Sequence, residues 1–245
     1  TSRGVVYGFR HAPTTFSHRV PNTGTPFSAD PVCDEAVNVI IAHADRTNGV
    51  ALVLGAGEAG GRLAYEIARR TQFYVIGIED DTNKFAAARA NLRTAGVFGG
   101  RVALQLVSLA QQPFPEWFAN VIVSARALET GVAPSPAASV ISMLQPYGGT
   151  LLLGSKHGAL DLSAFTHPEL SAWSAPAGAT SAYWRVSHRG ALSGAGVWDH
   201  QFADIENTAC SADVHVSTNL VLQWFGRPGS EDVFDRHLMP MSPLF

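Results

Sequence analysis

The stretch Val50-Ala51-Leu52-Val53-Leu54-Gly55-Ala56-Gly57-Glu58-Ala59-Gly60-Gly61-Arg62-Leu63-Ala64 decides how the rest of the chain is read. An apolar run enters a glycine cluster and leaves it as a helical pattern, the order of strand, loop and helix that opens a nucleotide-binding βαβ unit. Gly55 can take a backbone turn closed to residues with a Cβ, and Gly57 leaves room where a ligand would approach. Gly60 is expected to let the helix lie close to the strand.

Outward from this unit, strands and helices alternate. Upstream, Ser28 or Asp30 can cap a helix with Pro31 in its first turn, and Val32, Ala36, Val37, Ile40, Ile41 and Ala44 recur at three and four. Val50 to Leu54 reads as a strand buried on both faces, followed by a helix from Arg62 to about Thr71. Further strands are predicted at Phe73 to Ile78, Arg101 to Val107, Asn120 to Ser124 and Thr150 to Leu153. Helices are predicted from Asn83 to Ala95, stopped by Gly96, from Pro134 to Leu144, and around Ala159 to Trp173, with Tyr183 to Val186 as an edge strand. The alternation implies an α/β fold: a doubly wound, mostly parallel sheet with helices on both faces, spanning residues 30–190. Residues 1–29 read as a strand, Gly4 to Phe9, and a linker; residues 191–245 read as an irregular tail with too little apolar pattern for a second core.

Composition narrows the function classes. A net charge of −3, with charged residues at 15%, provides no basic face for a phosphate backbone, so nucleic acid is not an expected partner. The apolar runs fall far short of the roughly 20 residues needed to cross a bilayer, and the chain reads as soluble. Cys33 and Cys210 match no metal spacing, and the histidines include no pair at i, i+4 with a third ligand in prospect. Gly154-Ser155-Lys156-His157-Gly158 lacks the spacing of a hydrolase nucleophile elbow, so metal and serine-hydrolase chemistry are not expected.

The chemistry therefore rests on the glycine loop. Gly55, Gly57, Gly60 and Ala64 fit the dinucleotide pattern, in which a helix N-terminus faces a pyrophosphate, and this supports NAD as a cofactor. The same loop, through Gly55, Ala56, Gly57, Glu58 and Gly60, can instead cradle S-adenosylmethionine, where no phosphate has to be neutralised. Glu79, at the end of the second strand, suits the ribose hydroxyls of either cofactor, with Asp80 beside it; Asp81 reads as a helix cap. Ser108 and Ser124, past the third strand and at the end of the fourth, border the expected ligand crevice. No residue stands out as a catalytic base.

With these residues in view, residues 30–190 resemble a class I S-adenosylmethionine-dependent methyltransferase domain with a Rossmann-like fold. The resemblance is carried by Leu52-Val53-Leu54-Gly55, Arg62 to Arg70, Val75-Ile76-Gly77-Ile78-Glu79 and Pro146-Tyr147-Gly148-Gly149. More narrowly, the chain is similar to the methyltransferase-like domain embedded in bacterial proteins with a pyrroloquinoline-quinone-type β-propeller. Gly4 to Phe9 looks like the end of a propeller blade, and Trp198 to Asp204, Asn207-Thr208 and Leu222 to Gly226 look like the start of the next. The resemblance implies S-adenosylmethionine as cofactor, with methionine at Gly55 to Gly57, ribose on Glu79 and adenine near Ser108, and a β-propeller in the same longer chain as partner.

The sequence also departs from that family. Ala59 stands where a third alternating glycine would fall, Val107-Ser108 replaces an acidic residue after the third strand, and Ser124-Ala125-Arg126 lacks the Asn-Pro-Pro-Tyr type of sequence that serves amino-group methylation. These departures imply a degenerate pocket, and with it the alternative of a non-catalytic domain.

Overall fold

The computed structural model describes residues 24–111, 114–200 and 202–215. The expected strand Gly4 to Phe9 and the segment Leu222 to Gly226 lie outside the described residues.

The strands form one six-stranded sheet in the order β3-β2-β1-β4-β5-β6. β1 (Asn48–Leu54), β2 (Gln72–Glu79), β3 (Val102–Leu106), β4 (Val121–Ser124) and β5 (Thr150–Leu153) are parallel neighbours in that order. β6 (Arg185–His188) closes the edge antiparallel to β5, with Leu152 opposite Val186. The fold class is as expected from the sequence: α/β, mostly parallel, with helices against the sheet.

Alternate residues of β1 face opposite layers, as the strand pleat requires. Ala51 and Val53 join one core with α1 (Pro31–His43), α2 (Arg62–Arg70) and α3 (Thr82–Thr94), through Ile40, Ile67 and Leu92. Leu52 and Leu54 face the other core with α5 (Ala137–Met143), through Val140 and Met143. Both sets are 0–3% exposed, which is why β1 reads as an unbroken apolar run.

Local signals explain most boundaries. Asp30 starts α1, its carboxylate accepting the Val32 and Cys33 amides, and Asp81 starts α3 by accepting those of Asn83 and Lys84 at 2.8 and 3.0 Å. Gly96, just past α3, takes a φ of +74°. Cys33 is buried and Cys210 exposed, both as free thiols.

Two expectations are corrected. The segment 159–173 is not a helix but an irregular layer with a single 3-10 turn, Ser163–Phe165. Asp161 bonds the Ser163 amide and His167 Nδ1 accepts from Glu169, local bonds that compete with a helix ladder, and Pro168 has no amide to continue one. Its Leu160, Leu162, Phe165, Leu170 and Trp173 still pack on the sheet, so the apolar spacing was real and the element type was not. The predicted helix from Pro134 begins only at Ala137, whereas a short helix, α4 (Ala125–Thr130), forms directly after β4 and ends on left-handed Gly131. In the tail, His200 and Ala203 make an isolated bridge.

Behind the sheet edge, Glu35 of α1 gathers the chain before β6. Its carboxylate accepts the Thr180 amide at 2.8 Å, the Ser181 amide at 2.9 Å, the Ser181 hydroxyl at 2.6 Å and the Trp184 indole at 2.7 Å. Burial works against this charge, but the bonds from Ser181, Thr180 and Trp184 outweigh it and hold the pKa below the usual glutamate value.

Candidate functional site

The strand order reverses between β1 and β4, and a cleft of about 140 Å³ lies there, beyond the carboxyl ends of the strands. Open α/β sheets receive ligands at such a switch point. Gly55 follows β1 into the cleft wall, Glu79 ends β2 with Asp80 after it, Ser108 follows β3, and Ser124 ends β4 with Arg126 two residues on.

The glycine loop is bonded inward. The Ala56 amide donates to the Ile78 carbonyl at 2.9 Å, Gly57 to Glu79 Oε2 at 2.9 Å, Glu58 to the Gly55 carbonyl at 3.1 Å and Gly60 to the Gly57 carbonyl at 3.1 Å. Ala59, Gly60 and Gly61 then take φ values of 47°, 66° and 92°, so a left-handed turn separates the loop from α2. Ala59 carries a Cβ in that turn, a conformation that costs roughly 1 kcal/mol for an L-residue.

This geometry adds a packing reason for Gly57 and corrects the reading of Gly60. A Cβ on Gly57 would lie 2.6 Å from Glu79 Oε2 and 2.9 Å from the Lys84 backbone, so this glycine admits the first turn of α3. A Cβ on Gly60 would meet the Asn91 amide at 2.6 Å, and that amide donates to the Gly60 carbonyl at 3.1 Å. Gly60 thus lies against α3 instead of letting α2 approach the strand.

Five charges converge above the loop. Glu58, 9% exposed, accepts from Lys84 Nζ at 2.6 Å. Glu79, 1% exposed, accepts the Asp80 and Asp81 amides on Oε1 at 3.0 and 3.1 Å, besides Gly57 on Oε2. The Arg126 guanidinium donates to Glu79 Oε1 and, at 2.6 Å, to Asp80 Oδ1, while its Nε lies 3.7 Å from Glu58. The Arg126 bond holds Asp80 below the usual aspartate pKa, and Asp80 in turn raises that of Arg126. Glu58 raises the pKa of Lys84 in the same way.

The structure brings Gly55, Ala56, Gly57, Glu58, Glu79 and Asp80 together at one end of the sheet. Ser108 lies on the cleft wall, its hydroxyl accepting the Ala110 amide at 3.3 Å. Ser124 is buried and caps α4, its hydroxyl accepting from Ala127 at 3.0 Å. Lys84 and Arg126 were missed in the sequence reading. Arg126 had one signal, a lone cation two residues past the end of a buried strand, but its partners lie 46 or more positions away. Among the described residues no group of three or more His, Cys, Asp or Glu side chains is placed to hold a metal ion, and no helix is long and apolar enough to cross a membrane.

Comparison with solved structures settles the architecture. A protein from Methanococcus maripaludis assigned as an S-adenosyl-L-methionine-dependent methyltransferase superposes with a TM-score of 0.55 over 66% of this chain and 87% of its own, at 15% identity. The fold is that of a Rossmann-like methyltransferase. Two further solved structures similar to this fold have lower scores. Geranyl diphosphate C-methyltransferase from Streptomyces coelicolor, in complex with Mg2+, geranyl-S-thiolodiphosphate and S-adenosyl-L-homocysteine, has a TM-score of 0.41 at 12% identity, over 50% of this chain and 43% of its own. Haemonchus contortus phosphoethanolamine N-methyltransferase 2, in complex with phosphomonomethylethanolamine and S-adenosylhomocysteine, has a TM-score of 0.41 at 19% identity, over 53% of this chain and 30% of its own. No protein-family model matches the chain, and no curated protein matches it.

Proposed function

We propose that the chain is a methyltransferase-like domain whose switch-point cleft binds S-adenosylmethionine. The observation that carries this reading is the buried Glu79 carboxylate at the tip of β2, bonded to the Gly57 amide at one edge of the cleft. In this reading Gly55 to Gly57, with Ala56 and Glu58, face the methionine portion, Glu79 and Asp80 face the ribose, and Ser108 faces the base, with Ser124 behind. S-adenosylmethionine supplies an electrophilic methyl group on a sulfonium; this chain supplies the carboxylates and apolar walls that orient it.

Two features favour S-adenosylmethionine over NAD. The loop amides of Ala56, Gly57, Glu58 and Gly60 are spent on internal bonds, and Glu58 adds a buried carboxylate, so the loop is a poor pyrophosphate cradle and a suitable neighbour for a sulfonium. The second half of the sheet is also not a βαβαβ unit, since no helix joins β5 to β6 and β6 is antiparallel, whereas a dinucleotide fold uses two such halves.

The second reading is a non-catalytic domain retained as a scaffold, favoured by the cleft volume of about 140 Å³ against the 300–1,000 Å³ common for ligand pockets. The β-propeller partner rests on the likeness of Gly4 to Phe9 and of Trp198 to Asp204 to blade segments, which supports an insertion of residues 30–190 between blades.

Isothermal titration of the chain with S-adenosylmethionine, S-adenosylhomocysteine and NADH separates these readings. Heat with the first two and none with NADH is expected. Silence with both sulfur ligands at millimolar concentration would sink the cofactor reading and leave the scaffold.

A further inference from the structure

Arg126 lies where a ligand of the cleft has to go. A Cβ placed on Gly55 would be 2.4 Å from the Arg126 Cβ and 3.1 Å from its Nε, so this side chain rests directly on the first glycine of the loop. From there its guanidinium reaches across the cleft to Glu79 and Asp80. The other donors to Glu79 are the backbone amides of Gly57, Asp80 and Asp81, fixed by the loop and the strand end. Arg126 is the cationic side chain bonded to Glu79, and at 37% exposure it can rotate into solvent without moving α4.

We propose that Arg126 is a built-in competitor for the cleft, and that ligand binding is an exchange in which a cationic nucleoside takes the place of the guanidinium on Glu79 and Asp80. This proposal rests on reading the cleft as a nucleoside-cofactor site.

Charge sets the class of ligand. Three carboxylates, Glu58, Glu79 and Asp80, face two cations, Lys84 and Arg126, so the cluster carries one excess negative charge while Arg126 is in place and two when it leaves. When Arg126 leaves, two carboxylates lose their cation, one of them wholly buried. A buried carboxylate needs a counter-charge or donors in return. A ligand carrying a positive charge near the ribose restores the balance, and a pyrophosphate worsens it. The exchange also accounts for the small cleft: the space is partly filled by the chain itself. The strengthened charge states of Asp80 and Arg126 fit a closed state that holds itself shut.

The test is titration calorimetry of the full chain and its Arg126→Ala and Arg126→Met variants with S-adenosylmethionine and S-adenosylhomocysteine, with thermal melts by circular dichroism to establish folding. Arg126→Met keeps the apolar stem on Gly55 and serves if the alanine variant does not fold. The expected result is that removing the guanidinium tightens S-adenosylmethionine binding at least tenfold, with a smaller gain for the uncharged thioether S-adenosylhomocysteine. Loss of structure cannot produce a gain of affinity. Unchanged or weaker binding in a folded variant, alongside measurable wild-type binding, overturns the exchange and makes Arg126 a ligand anchor or a bystander while the cofactor reading stands. Silence from the wild type and from a folded variant overturns both.

Discussion

The Gly57 amide donates to Glu79 Oε2 at 2.9 Å, a buried bond that ties the glycine loop after β1 to the tip of β2. The loop shape and the position of the acidic side chain are thus one property. Replacing Glu79 with Ala strands the Gly57, Asp80 and Asp81 amides and removes a partner of Arg126. The expected cost is about 3 kcal/mol of folding stability, at the lower end for breaking a buried pair, together with loss of cofactor binding. Urea denaturation of Glu79→Ala beside Glu79→Gln checks it, the amide variant keeping an acceptor and losing less.

Gly57→Val is expected to damage folding as well as binding. Its Cβ would press on Lys84 Cβ at 2.7 Å and on the Lys84 carbonyl carbon at 2.9 Å, where backbone has to give. Overpacking of this kind costs about 1–3 kcal/mol. A variant that melted like the wild type would show that the first turn of α3 moves freely.

How far the sequence could be read follows from where each signal lies. β1, β2 and the cap of α3 were legible because their causes are local: apolar runs, buried on two faces in β1, and Asp81 beside the amides it caps. The segment 159–173 was misread because apolar spacing reports which side faces the core, not how the backbone bonds itself, and Asp161, His167 and Pro168 decided the latter. Arg126 was missed for a different reason. Its role comes from the sheet order, which sets the ends of β2 and β4 on either side of β1 and within reach of one another.

The Glu35 cluster predicts a local weakness. Glu35→Ala removes the acceptor for the Thr180 and Ser181 amides and the Trp184 indole at once. A cost of about 2–3 kcal/mol is expected, in the range for hydrogen bonds to charged groups, with faster amide exchange confined to residues 175–186. Exchange spread evenly over the sheet would show that this contact is not what holds the segment.

His188 predicts the sign of a pH dependence. Its pKa is lowered, first by burial and then by the charge of His43 stacked beside it. The unfolded chain therefore takes up the proton at a higher pH than the folded chain does, so stability rises with pH across this window. The contribution is complete above the ordinary histidine value of 6.5 and is lost as pH falls from there through the folded value. Melting temperatures between pH 8 and 5 should fall for the wild type and fall less for His188→Gln; parallel curves would assign the change to other groups.

The reversal of strand order at β1 also has a consequence in time. Leu52 pairs with Ile76 across one helix, but with Ile122 only after a much longer stretch of chain has been gathered in. Closing the shorter loop loses less entropy, so β1, α2 and β2 are expected to come together first, with β4 and β5 docking onto a surface already made. Substitutions in this first βαβ unit should then slow refolding, while those in β4 should mainly hasten unfolding. The strand at the centre of the sheet would be the place where folding begins.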